Sequence, residues 1–255
     1  MEFFKSGDVR IAYIDVAPSA ADRGEPILLI HGFASNHAVN WVSPLWVDAL
    51  TRDGRRVVAF DNRGHGQSEK LYDPAAYAMT LMAQDALGLL AHLGIERTDV
   101  MGYSMGARIA GHLALAAPDR VRSVVFGGIG DRLVGDAGLP GGIAEAMEAP
   151  ALDSLTDPTQ RMFRAFAEAN RNDLAALAAC SRGARDRLAA GDVARIDCPA
   201  LVAVGTSDRI AGSAQGLADL LPRGASLDIP GRDHNRAVGD KVFKTGVLAF
   251  LAGRP

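Results

Sequence analysis

The feature that most restricts the fold of this 255-residue chain is a set of short apolar runs without polar alternation, separated by helix-length amphipathic stretches. Ile27-Leu28-Leu29-Ile30 and Leu201-Val202-Ala203-Val204 are two of them. A strand wetted on one face alternates polar and apolar residues, so an unbroken run implies a strand covered on both faces. Strands are expected at residues 9–16, 26–31, 56–60, 99–103, 121–126, 200–205 and 225–229, and helices at 44–52, 79–93, 105–117 and 241–251. Strand-helix alternation of this kind requires right-handed crossovers and parallel pairing. The expected class is α/β, a mostly parallel central sheet flanked by helices. With 48% hydrophobic and 22% charged residues, the chain can bury one large core.

The rhythm stops between residues 131 and 196. Ala-, Met- and Glu-rich helical stretches, broken at Pro140-Gly141-Gly142 and Asp157-Pro158, replace the strands there. An insertion after the strand at 121–126 would lie over the carboxyl ends of the strands, where open α/β sheets carry their sites. The expected organisation is a core of residues 1–130 and 197–255 with a helical cap at 131–196. Helices covering a sheet flank would look the same in sequence.

Residues Gly102-Tyr103-Ser104-Met105-Gly106 stand where a strand run hands over to a helix run. A turn this tight forces its central residue toward a sparsely allowed backbone conformation, and flanking side chains would collide with the adjacent strand and helix. Two glycines remove the collisions. Ser104 is thereby exposed at a helix N-terminus, where free N–H groups favour developing negative charge, an arrangement suited to acyl transfer.

Composition excludes several alternatives. A net charge of −3 with scattered Lys and Arg gives no basic field for nucleic acid. The first residues contain no apolar leader, and no run approaches the ~20 apolar residues that span a bilayer, so a cytoplasmic location is expected. Two cysteines, Cys180 and Cys198, make neither a disulfide framework nor a zinc-ligand spacing. No Gly-x-Gly-x-x-Gly follows a strand and no phosphate loop ends in Gly-Lys-Ser or Gly-Lys-Thr, so neither cofactor nor metal is expected. The sequence leaves the oligomeric state undetermined.

Over residues 26–235 these features resemble the α/β-hydrolase family, whose chain order is nucleophile, acid, histidine. The resemblance implies Ser104 as nucleophile and His234, in Pro230-Gly231-Arg232-Asp233-His234-Asn235, as general base. It implies Asp208 as the acid that orients the imidazole, with Asp131 as the competitor because it follows the preceding strand. Asp233 is adjacent to His234 in sequence and is expected to point elsewhere. The backbone N–H groups of Phe33, in His31-Gly32-Phe33, and of Met105 would form the oxyanion hole. The segment Asp61-Asn62-Arg63-Gly64-His65-Gly66-Gln67-Ser68 matches a family turn with an expected structural role. Candidate pocket residues are Phe33, Trp41, Tyr103, Met162, Phe163 and Phe166.

Serine at the elbow argues against the family's dehalogenases and epoxide hydrolases, which use a carboxylate there. The resemblance implies a serine hydrolase of the carboxylesterase type, acting on small-molecule esters of apolar small to medium acyl or alcohol groups. Thioesters, lactones, amides and carbon–carbon bonds of vinylogous diketones suit the same nucleophile. A binding module with slow turnover is the alternative of a different kind.

Overall fold

The computed structural model describes residues 1–135 and 138–254. Strands β1 (Glu2–Ser6), β2 (Val9–Val16), β3 (Ile27–Ile30), β4 (Val57–Phe60), β5 (Thr98–Tyr103), β6 (Val121–Gly127), β7 (Ala200–Gly205) and β8 (Gly224–Ile229) form one sheet. Their order is β1-β2-β4-β3-β5-β6-β7-β8. The β1–β2 and β2–β4 pairs are antiparallel, and every pair from β4 onward is parallel. Strands β3, β4, β5 and β7 are buried along their whole length, as the unbroken apolar runs require.

The helices are α1 (Trp46–Arg52), α2 (Met79–His92), α3 (Met105–Ala116), α4 (Ile143–Glu148), α5 (Pro158–Ala169), α6 (Leu174–Gly183), α7 (Ala190–Val193), α8 (Ala214–Ala218), α9 (His234–Ala237) and α10 (Lys241–Gly253). Alternate strand residues feed two separate cores. Leu28, Ile30, Val58 and Val100 pack with α2 and α3 on one face, and Ile27, Leu29, Val57 and Met101 pack with α1 and α10 on the other. Among the described residues no helix is long and apolar enough to cross a membrane.

Strand β1 went unread in the sequence. Ser6 pairs with Val9, which leaves Gly7-Asp8 as a two-residue hairpin loop with Gly7 at φ 59°. A Gly-Asp pair between extended runs is itself a hairpin signal.

Between β6 and β7 lie α4 to α7. Arg164 of α5 donates to the carbonyls of Ala146, Met147 and Ala149, satisfying the carboxyl end of α4. The Asp186 carboxylate accepts from Met79 N–H and so caps α2, while Asn172 Nδ2 donates to Ala34 O at 2.8 Å. The helical segment is thus tied to the loop after β3 and to the start of α2.

Candidate active site

The handover from β5 to α3 has the geometry that its glycines foretell. Ser104 lies at φ 55° and ψ −113°, a strained conformation for a residue with a side chain. A Cβ on Gly102 would fall 2.2 Å from Gly106 O, and one on Gly106 would fall 2.0 Å from Ile30 O. Backbone occupies the space where either side chain would go.

Ser104 Oγ lies 3.0 Å from His234 Nε2, and His234 Nδ1 lies 2.7 Å from Asp208 Oδ2. The Asp208 carboxylate can only accept when ionised, so Nδ1 carries the proton, and unprotonated Nε2 accepts from the serine hydroxyl. The loop after β7 holds Asp208 by two N–H donors to Oδ1, Ile210 at 2.8 Å and Ala211 at 3.1 Å. Burial pushes the Asp208 carboxyl up, but the His234 hydrogen bond and charge, with those two amides, outweigh it and hold the group below its ordinary value.

Of the competing acids, Asp131 accepts from Ser213 N–H at 2.9 Å, tying two loops together. Asp233 caps α9 through the N–H groups of Asn235 and Arg236. Neither is hydrogen-bonded to His234 among the described residues. The backbone of His234 is held from beneath by Tyr103, whose hydroxyl donates to its carbonyl at 2.6 Å. Burial, with the nearby charges of Asp208 and Asp233, drives that phenol well above its usual value.

The loop after β3 is organised by two side chains. Asn62 N–H donates to His31 Nε2 at 2.9 Å, so the His31 proton sits on Nδ1 and is donated to Gly32 O at 2.7 Å. Full burial pushes the His31 imidazole down to about 4, which keeps it neutral. Gly32 N–H donates to Asn40 Oδ1 at 3.0 Å. Phe33 follows directly and lines the space beside Ser104, and its N–H has no backbone acceptor in the loops among the described residues. His65, fully buried and pushed down to about 3 by burial and by His31, packs edge-on against Phe33 at 5.8 Å.

Two cavities meet at Ser104. The smaller, about 70 Å³, is walled by Phe33, Tyr103, Met162, Phe163, Phe166 and His234. Asn40 also lines it, and its Nδ2 is buried without a partner among the described residues. The larger, about 290 Å³, is bounded by Met79, Met105, Ile129, Leu139, Phe163 and the arginines Arg108, Arg132 and Arg185. Phe163 stands on both.

Trp41 requires a correction, because it lines neither cavity. It is fully buried against Trp46, ring centroids 6.3 Å apart, in the core on the α1 and α10 face. Its position shortly after His31-Gly32-Phe33 suggests proximity, but the irregular helical turn over Ala38–Val42 rotates it inward. Asn40 and the three arginines went unread. An asparagine in a short helical turn and an arginine one turn into α3 carry no signal until the chain folds around them.

The sequence pattern described as alpha/beta hydrolase fold matches residues 25–176. The chain belongs to the α/β hydrolase family. Within it, epoxide hydrolase B of Mycobacterium tuberculosis is 37% identical over 130 residues, 49% of this chain and 35% of that protein. The chain spans only 35–41% of the length of the first curated relatives it matches. Among solved structures, a hydrolase from Pseudomonas aeruginosa superposes with a TM-score of 0.76 at 26% identity, covering 99% of this chain and 98% of the other. The enol-lactonase from Burkholderia xenovorans gives 0.78 at 22%, covering 98% and 100%, a likeness of fold.

Proposed function

We propose that this α/β hydrolase is a serine carboxylesterase, cleaving esters of small to medium acyl or alcohol groups through an acyl-serine intermediate. The row Asp208–His234–Ser104, at 2.7 and 3.0 Å, is the observation that carries the reading. In it Ser104 Oγ attacks the ester carbonyl as His234 Nε2 takes its proton, and the N–H groups of Phe33 and Met105 receive the oxyanion. Asp208 holds the imidazole in the required tautomer and stabilises the imidazolium. Collapse of the tetrahedral intermediate sends the proton from His234 to the leaving alcohol. Water, activated by the same imidazole, then releases the acid and restores Ser104.

Relatives named epoxide hydrolase do not redirect this reading. Attack of Ser104 on an epoxide would make an ether, which no later step of this site can hydrolyse, whereas an acyl-serine is an ester and turns over. The helical segment at 131–196 acts as a cap: Met162, Phe163 and Phe166 of α5 wall the space above Ser104.

A panel of neutral esters, thioesters, lactones and a vinylogous diketone tests the reading, run on the wild type and on Ser104→Ala. Repeated ester turnover that is lost in Ser104→Ala is the expected result. A single covalent labelling of Ser104 without turnover would show a binding module instead.

A further inference from the structure

His234 faces two spaces. It lines the cavity of about 70 Å³ beside Ser104, and it lines a groove of about 340 Å³ between the start of α5 (Pro158 and Thr159), the loop after β7 (Ser207 and Ile210) and the start of α9 (Asn235). Pro158, Ser207 and Asn235 are exposed, so the groove leads out to the surface. The imidazole must hand a proton to the departing oxygen, which puts the alcohol half of an ester on this side of Ser104.

The 70 Å³ cavity is small for that half. A benzene ring needs a cavity of about 150 Å³, so only a short alkoxy group fits, and a larger alcohol has to continue into the groove. Met162, Asn235 and His234 each line both spaces and so form the partition between them. His234 is fixed by Asp208 and by the Tyr103 hydroxyl on its carbonyl, and Asn235 is exposed. Met162 is half-buried on α5, next to Phe163 and one turn before Phe166. Its unbranched thioether chain can change shape where a ring or a branched side chain cannot, which makes it the adjustable part of the partition.

We infer that the alcohol half of the substrate extends along the groove between α5 and the loops after β7 and β8, and that Met162, where the cavity opens into it, sets the size of alcohol the site accepts. The inference rests on the acyl-serine reading above and adds to it a residue that selects the alcohol.

The experiment measures kcat/KM for two ester series in the wild type, Met162→Ala, Met162→Leu and Met162→Trp. One series holds the acyl group at acetyl and runs from methyl through butyl to benzyl alcohol. The other holds the alcohol at methyl and runs from acetate through butyrate to phenylacetate. Met162→Ala should raise the benzyl-to-methyl acetate ratio by about tenfold and Met162→Trp should lower it by about as much, the effect that one pocket contact gives. Met162→Leu, of similar volume, should keep the ratio near that of the wild type. The phenylacetate-to-acetate ratio should move by less than about threefold in all three variants, as expected for a part of the substrate that Met162 does not touch. The alanine variant carries the test by itself should the tryptophan variant fail to fold. A benzyl-to-methyl ratio unchanged in Met162→Ala, or an acyl-series ratio that moves as far, would overturn this inference and leave the esterase reading standing. No turnover of any ester would overturn both.

Discussion

The loops at the carboxyl ends of β3, β5 and β7 and the helical segment from α4 to α7 meet at Ser104, but they tolerate change very differently. On the sheet side, backbone sits 2.0–2.2 Å from where a Cβ on Gly102 or Gly106 would be, and each reacting group is held by hydrogen bonds of 2.6–3.1 Å. On the helical side the site is walled by side chains, of which Met162 and Phe166 are only partly buried. A displacement of an ångström in the first region destroys a hydrogen bond, whereas in the second it reshapes a wall. On the proposed reading, the contrast assigns reaction geometry to the strand-end loops and selection among substrates to the helices.

Removing the proposed nucleophile tests that division most severely. Ser104→Ala should lower kcat by roughly 10⁴- to 10⁶-fold with little change in thermal stability. Folded protein with substantial ester turnover would break the assignment. Asp208→Asn should cost roughly 10³- to 10⁴-fold in kcat, since the imidazole loses its tautomer control, while Asp131→Asn should cost far less and act on stability. A larger kcat loss at Asp131 would reverse their roles. Asn40→Ala should lower kcat by roughly 10- to 100-fold, because it frees the loop that carries Phe33 N–H. An unchanged kcat would show that His31 alone suffices to hold that loop.

Acid should act on the strand-end loops before it acts on the helices. His31 and His65 lie near 4 and 3 when folded, below the ordinary 6.5 of an exposed imidazole, so the unfolded chain binds their protons first as pH falls. Stability is therefore full above about pH 6.5 and should be lost toward pH 4 by up to roughly 1.4 kcal/mol per pH unit for each histidine. Unfolding midpoints measured across that window in wild type and in His65→Gln check it. Identical slopes would mean that His65 is not the titrating group.

The mildest change lies in the helices. Phe166→Ala should shift the preferred chain length among neutral esters while keeping acetyl-ester turnover within about tenfold, since an apolar contact is worth ~1 to 3 kcal/mol. Phe163→Ala should additionally destabilise the protein, because that ring is 6% exposed and packs on Phe33. A loss of stability at Phe166 with no change in length preference would make it ordinary core.

How legible all this was in the sequence follows the range of the interactions. Unbroken runs such as Ile27–Ile30 and Ala200–Gly205 mark buried strands because local composition reports burial. The elbow is legible because its glycines are needed by contacts made within a few residues, apart from the approach to Ile30. Which acid meets His234 is settled by the fold of two loops, and the sequence favours Asp208 over Asp131 because it directly follows the buried run at 200–205 in a short loop. Trp41 and the arginine wall were opaque for the same reason in opposite senses. One turns inward and three converge from α3 and the segments around 132 and 185, and no local pattern records where a side chain ends up after long-range packing.

The strand order has a consequence for how activity returns after denaturation. Ser104 and His234 are 130 residues apart in the chain, and they come within hydrogen-bond reach only after β6, β7 and β8 have docked in parallel beside β5. Closing such distant segments is slow, because each parallel pairing brings together segments far apart in sequence. In a refolding experiment, helical signal should recover first and ester turnover last. Catalysis then serves as a clock for the completed sheet, and its lag behind the helices measures the docking of the final strands.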